Sequence, residues 1–299
     1  MSVDSYIGVS EVLQPSASAL LRRRVFGHTT FVLGAGTLLL ILAAALTAPL
    51  LAPHDPYAQD LGQRLIPPVW HDEGSWAHVL GTDQLGRDYL SRLIYGTRLS
   101  LLIGSAAMLM SGVIGASLGV FAGYFGGRLD LVVNFVITTR LAMPVILVAL
   151  AVAALAGSSL ENVILVLGLL LWDRFAVVTR SVTMQIRSLD YVAAAQAVGC
   201  STLRIVVSEI LPNILNAIIV VATLEMANAI LLEAALSFLG LGVPSPLPSW
   251  GLMIAEGKEY MFFSPWVIAI PGVALFTLVL AINLLGDGVR DLTAPESRN

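Results

Sequence analysis

Long apolar runs separated by short polar interruptions extend along most of the chain. Six runs have the length and composition of membrane-crossing helices: Phe31–Leu51, Leu99–Ala122, Leu141–Ala156, Val163–Val178, Ile214–Ala235 and Trp266–Leu285. The first is about 31 Å long as a helix, matching a hydrocarbon core of about 30 Å. Arg22, Arg23 and Arg24 precede it in the manner of an export signal. The apolar region of such a signal is only about 7–15 residues, so the pattern predicts a true first membrane helix. The fourth run carries Asp173 and Arg174 near its end.

The interruptions have patterns of their own. Ala52–Arg98 opens with Pro53, His54, Asp55 and Pro56 and ends in GRDYLSRLIYGTRLS. On a helix, Tyr89, Leu90, Leu93 and Ile94 share one side while Arg87, Ser91, Arg92 and Arg98 fall elsewhere. This predicts an amphipathic helix lying in the membrane interface or on the rim of the bundle. Leu239–Pro265 contains Pro244, Pro246 and Pro248, which break a helix. It also contains Trp250, Tyr260, Phe262 and Phe263, residue types suited to the headgroup layer. The third interruption, Asp190–Pro212, reads as a helical hairpin. Asp190 is the expected N-cap of its first helix and Gly199 the stop in the left-handed conformation. Ser201 would cap a second helix ending near Pro212, which then opens the fifth span at a tolerated first-turn position. Ala193, Ala194 and Ala195 leave the first helix almost without side-chain bulk, which fits a surface approached closely by a partner. Because alanine is also a strong helix former, the same residues fit a loop packed on its own bundle.

Composition supports a polytopic membrane protein: 57% of residues are hydrophobic and 12% charged, against about 25% charged in soluble domains. The net charge of −4 and the scattered cations exclude a nucleic-acid partner. Cys200 is the single cysteine, which excludes an internal disulfide framework. Placing the N-terminus inside puts ten arginines in the cytoplasm (Arg22–Arg24, Arg128, Arg140, Arg180, Arg187, Arg204, Arg290, Arg298) against five outside cations. That bias predicts cytoplasmic N- and C-termini and a cytoplasmic hairpin in the cell inner membrane. The expected organisation is a cytoplasmic segment 1–30, a first span 31–51 and an external segment 52–98. A five-helix core 99–287 follows, containing the hairpin 180–212 and the external loop 239–265, and then a cytoplasmic tail 288–299.

Glu225 and Glu233 lie within or at the end of the fifth span, about two turns apart on roughly one face. Ionisable residues at membrane depth are functional candidates by default. Each admits two readings, a lining of the translocation path or a carboxyl hydrogen-bonded inside the bundle. Asp173 and Arg174 are adjacent and do not face each other on a helix, so Arg174 is expected to snorkel to the cytoplasmic interface. His28, His54, His71 and His78 all fall outside the spans, and no histidine, cysteine or glutamate spacing indicates a metal site. The glycine-rich GYFGG, Gly123–Gly127, lacks the lysine of a phosphate-binding loop. No catalytic residue, metal or cofactor is therefore expected in this chain.

The hairpin resembles the cytoplasmic Glu-Ala-Ala loop of the permeases of ATP-binding-cassette (ABC) importers. That pattern runs Glu-Ala-Ala, three residues, Gly, nine residues, Ile-x-Leu-Pro. Ala194, Ala195, Gly199, Leu211 and Pro212 match it, whereas Ala193 stands in place of the Glu and Glu209 in place of the Ile. LGTDQLGRDYLSRLIYGTRLSL (Leu80–Leu101), EAALSFLGLGVPSPLPSWGLMIAEG (Glu233–Gly257) and NLLGDGVRD (Asn283–Asp291) resemble the dipeptide, oligopeptide and nickel branch, most of all its C-type subunit. The likeness runs from about Trp76 to Asp291. It implies an all-α, six-span, type I ABC-importer permease that is itself not an enzyme. It implies pairing with a homologous second permease and with two ATPase subunits that hold ATP and Mg. An extracytoplasmic substrate-binding protein would dock outside. Ala193, Ala194, Ala195, Gly199, Arg204, Leu211 and Pro212 would form the ATPase-coupling surface, and Pro246, Trp250 and Gly251 a docking surface for the binding protein. An ion-coupled secondary transporter working alone is the other reading, and it leaves the hairpin unexplained.

Overall fold

The computed structural model describes residues 25–293. Arg22–Arg24, most of the expected N-terminal segment and the last residues of the expected tail lie outside the described residues. Within them the chain is helical, with two isolated β-bridges, Ser75–His78 and Thr82–Asp88, in the segment after the first span. The helices are α1 (Thr29–Leu46), α2 (Ala48–Leu51), α3 (Tyr89–Phe125), α4 (Gly127–Leu141), α5 (Val145–Ala156) and α6 (Leu160–Leu170). They continue as α7 (Asp173–Arg187), α8 (Asp190–Ala197), α9 (Thr202–Ile205), α10 (Leu211–Phe238), α11 (Trp250–Gly257) and α12 (Trp266–Thr293). Five stretches are long and apolar enough to cross a membrane: α1, α3, Leu160–Arg187, Thr202–Phe238 and α12. The pair α4–α5, bent by 88°, supplies a sixth if counted as one broken span.

Several expected boundaries move, each for a physical reason. No separate surface helix precedes the second span, because Tyr89–Phe125 is one helix of 37 residues, N-capped by Asp88 through Ser91 N at 2.8 Å. Of the residues expected on the polar side, Arg87, Ser91 and Arg92 are fully enclosed and only Arg98 is exposed, while Tyr89 of the apolar side is buried too. The expected third span, Leu141–Ala156, is realised only as the 12 residues of α5, about 18 Å long and too short to cross alone. Pro144 precedes α5 and excludes the helical conformation at Met143, so the chain turns there. The fourth span extends to Arg187 and breaks at Leu171–Trp172, between α6 and α7.

The bundle is closed by small residues. Gly112, Gly115, Gly119 and Gly123 form a ridge on α3 against α7. A Cβ on Gly115 would strike the Trp172 carbonyl oxygen and lie 2.6 Å from Phe175 Cβ, and one on Gly123 would lie 2.7 Å from the Arg180 carbonyl oxygen. Such small-residue stripes let membrane helices pack backbone to backbone. Gly34 of α1 rests in the same way on α12, 2.6 Å from Leu285 N when given a Cβ.

Candidate functional site

The site is best followed from one face of the bundle to the other. At the hairpin, Val192, Ile205, Ile210 and Ile214 are buried together with Val120 and Tyr124 of α3 and Ile186 of α7. α8 begins after Leu189, so Asp190 is its first residue rather than its cap. There its carboxylate still faces the positive end of the helix dipole. Gly199 takes φ +85°. Its N–H bonds Gln196 O and that of Cys200 bonds Ala195 O, each at 3.0 Å, the paired arrangement of a Schellman stop. Ser201 caps α9 through Arg204 N.

Pro212 stands in the first turn of α10, as expected, but no turn separates that helix from the hairpin. Proline offers no N–H to the carbonyl one turn earlier and crowds it. The turn before it widens to π-helix over Val206–Ile210, and the chain runs on into α10. The hairpin and the fifth span are thus mechanically continuous. Ala193, Ala194, Arg204, Leu211 and Pro212 are exposed on this face and Ala195 is half-buried. Val198 and Leu203 are also strongly exposed, at 84% and 74%. Arg180 Nη2 donates to Asp130 Oδ2 at 2.7 Å, and Arg180 Nε also pairs with Asp130, tying α7 to α4 beside the hairpin.

Part-way through the bundle the chain breaks at Leu171–Trp172 and bends before Pro144, and a cavity of about 430 Å³ opens where these irregularities meet. Arg140, Asp173, Arg174, Glu225 and Asn228 supply its polar lining, and Met143, Leu171 and Leu231 part of its apolar wall. Glu225 is 1% exposed, yet its Oε1 is 3.3 Å from Arg174 Nη1 and accepts from Asn228 Nδ2 at 3.2 Å. Arg174 therefore turns to Glu225 rather than to the interface. Arg140, expected among the cytoplasmic arginines, donates to Leu170 O at 2.6 Å and borders the same space. Non-helical backbone at membrane depth is tolerated where it lines such a cavity.

Glu233 lies elsewhere and does not line the cavity. Its Oε1 accepts from Ser237 Oγ at 2.8 Å and Ser249 Oγ at 2.9 Å, and the carboxylate is packed against Gly251. This carboxyl joins α10 to the segment carrying α11.

On the face opposite the hairpin, three buried charged groups, Asp83, Arg87 and Arg92, meet the partly buried Glu256. Asp83 Oδ2 accepts from Arg87 Nε at 2.6 Å and pairs with Arg92. Glu256 Oε2 lies 2.8 Å from Arg92 Nη1 and 3.1 Å from Arg87 Nη2. Tyr89 Oη donates to Val267 O at 2.5 Å, and Trp250 Nε1 to Leu93 O at 2.9 Å. Together they fix α11 and the start of α12 onto the N-terminal end of α3. Trp250 is 3% exposed and Gly251 is buried. The indole of Trp250 fills the space over Gly96, and Gly251 packs on Glu233 and Ala234. Of the three expected docking residues, Pro246 alone is exposed. Phe262 and Phe263, at 84% and 87%, keep the exposure expected of headgroup-layer aromatics.

The comparisons with known proteins follow this architecture. Residues 115–299 match the family described as binding-protein-dependent transport system inner membrane component, and residues 16–68 match the N-terminal TM domain of oligopeptide transport permease C. The chain belongs to this family of permeases. It is a multi-pass inner-membrane permease subunit of an ABC importer. The di/tripeptide transport system permease protein DppC of Pseudomonas aeruginosa is 42% identical over 92% of this chain and 91% of its own length. The dipeptide permease DppC of Haemophilus influenzae is 39% identical over 87% and 88%. The probable D,D-dipeptide permease DdpC of Escherichia coli is 36% identical over 91% and 89%. Among solved structures, an inward-facing MetNI methionine ABC transporter aligns with a TM-score of 0.57, covering 69% of this chain and 98% of that one at 20% identity. That likeness establishes the fold alone, that of a type I importer permease.

Arg140, Arg174 and Asn228 belong to the cavity but were not joined to it in the sequence reading. Opposite charges at membrane depth on the fourth and fifth spans, Arg174 and Glu225, are the signal that points to such a pairing.

Proposed function

We propose that this permease carries di- or oligopeptides inward, and that the cavity around Glu225 is part of their path. The observation that carries the reading is the lining itself. Arg140, Asp173 and the Arg174–Glu225 pair place both signs of charge in one cavity beside the apolar side chains of Met143, Leu171 and Leu231. A zwitterionic peptide presents an ammonium and a carboxylate separated by less polar atoms, which such a lining complements. The names of the relatives point to the same substrate class.

In this reading both termini and the hairpin are cytoplasmic. Ala193, Ala194, Ala195, Gly199, Arg204, Leu211 and Pro212 form the surface that seats in a groove on an ATPase subunit. Two such subunits bind ATP and Mg, and their closure moves the hairpin. Because the hairpin runs on into α10 through the π-turn, that motion reaches the helix bearing Glu225. A homologous second permease completes the pathway, and a substrate-binding protein docks on the external face. The exposed Pro244–Pro246 segment is the site there rather than Trp250 or Gly251. Glu233 has a positioning role at the outer end of α10.

The test is reconstitution of the complete importer in proteoliposomes with a radiolabelled dipeptide. Uptake should require ATP and persist when ion gradients are collapsed. Uptake driven by an ion gradient without ATP would overturn the reading. Ala194→Trp should abolish co-purification of the ATPases or uncouple their hydrolysis from uptake. Intact assembly with intact coupled hydrolysis would refute close packing at α8.

A further inference from the structure

We propose that His54, His78 and Asp88 form a binding site for a single transition-metal ion of the zinc class on the face opposite the hairpin. Folding brings the three together from separate parts of the segment between α1 and α3. His78 Nδ1 lies 2.8 Å and His54 Nδ1 3.6 Å from Asp88 Oδ1, and the three ligand atoms all fall within 4.8 Å of one another. Ligands held about 2.1 Å from a tetrahedral zinc ion stand about 3.4 Å apart. Small shifts of the two rings bring these atoms to that spacing.

The hydrogen bonds around the cluster prepare it for a cation. Asp88 divides its carboxylate: Oδ2 accepts from Ser91 N at 2.8 Å and Ser91 Oγ at 2.7 Å, which leaves Oδ1 to the imidazoles. Gln63 Nε2 donates to Asp60 Oδ2 at 3.0 Å, which turns its Oε1 toward His78 Nε2, also at 3.0 Å. With Gln63 Oε1 placed to accept from Nε2, the Nδ1 atom is the one turned to Asp88 Oδ1 and available as a ligand. An imidazole that ligates through one nitrogen and donates from the other to a fixed acceptor is the usual supported metal ligand.

Access and chemistry agree with the metal. Asp88 and His78 are 1% and 12% exposed, whereas His54 is 42% exposed, so an ion can enter past His54 and retain water as its fourth ligand. Two imidazoles with one carboxylate suit zinc and its neighbours, whereas calcium and magnesium require mainly oxygen ligands. His54 N already donates to Ser91 Oγ at 3.0 Å. A bound ion would add a coordinate clamp between the segment leaving α1 and the start of α3. The site does not depend on the transport reading.

The test uses the full chain in its importer complex, purified in detergent, stripped with chelator and titrated with zinc alone by calorimetry. One zinc per chain is expected. His54→Ala and His78→Ala should each weaken binding by at least about 100-fold, and Gln63→Leu by about tenfold. Cobalt(II) should give the visible absorption of a tetrahedral site in the parent and lose it in His54→Ala. That side chain is exposed and its removal leaves the fold in place, so the experiment stands even if His78→Ala fails to fold. Zinc affinity unchanged in His54→Ala would mean adventitious binding and would overturn the site. So would the absence of zinc binding in the parent.

Discussion

Arg174 in the first turn of α7 meets Glu225 in the middle of α10, with 3.3 Å between Nη1 and Oε1. One member of the pair is buried and the other 59% exposed, so the pair holds one fixed charge and one that can turn toward an incoming solute. In Glu225→Gln the shape is kept and the charge lost. A hydrogen bond to a charged group contributes about 1.5 kcal/mol at the weak end, the appropriate end for a half-exposed arginine. Dipeptide uptake by the reconstituted importer should therefore fall about tenfold, with the assembled complex still recovered. Unchanged uptake would remove Glu225 from the path.

The cluster of buried Asp83, Arg87 and Arg92 with the partly buried Glu256 makes a sharper stability prediction. Glu256 Oε2 receives both guanidinium groups. In Glu256→Gln two buried cations share a single carboxylate, and breaking such a pair costs about 3–5 kcal/mol. The purified variant should melt well below the parent in a detergent thermal-shift assay. A melting temperature within a degree of the parent would show that water replaces the carboxylate at little cost.

Helix contact through glycine is tested by a matched pair. Gly115→Ala drives a methyl into the Trp172 carbonyl, and overpacking of this kind costs about 1–3 kcal/mol. Gly36→Ala, also within a membrane helix, meets nothing within 4 Å and should be neutral or slightly stabilising. Equal melting temperatures for the two variants would contradict the backbone contact between α3 and α7.

Gly199 has open space around it but φ +85°. Gly199→Ala adds no clash and costs about 1–2 kcal/mol through backbone strain alone. Amide exchange across Cys200–Ile205 should accelerate by roughly five- to thirtyfold for that cost, with α10 protection unchanged. Unaltered exchange would mean that the turn relaxes out of the left-handed conformation.

Much of this architecture was legible in the residues because hydropathy reports burial from water directly. The apolar runs located the spans, and Gly199 and Ser201 located the turn and second cap of the hairpin. What escaped depended on partners distant in the chain. Arg87 and Arg92 pattern as a solvated helix face until Glu256, 169 positions beyond Arg87, arrives to pair with them. Trp250 looks like an interfacial aromatic until Gly96 provides a slot for it. At Pro212 a local rule was right about the missing hydrogen bond and wrong about the outcome, since a π-turn absorbed the defect. The same holds for Arg140, whose cavity exists only because two helices break at the same depth.

The unbroken run of α3 from Tyr89 to Phe125 has a consequence for how the two membrane faces communicate. It is a rod about 55 Å long, clamped at one end by Tyr89 and Arg92 and packed at the other into the hairpin through Val120 and Tyr124. Tilted by about 10° around its middle, such a rod displaces each end by about 5 Å in opposite directions. A disturbance on either side of the bilayer is then felt on the other with its sign reversed, and no signal has to be passed residue by residue between them.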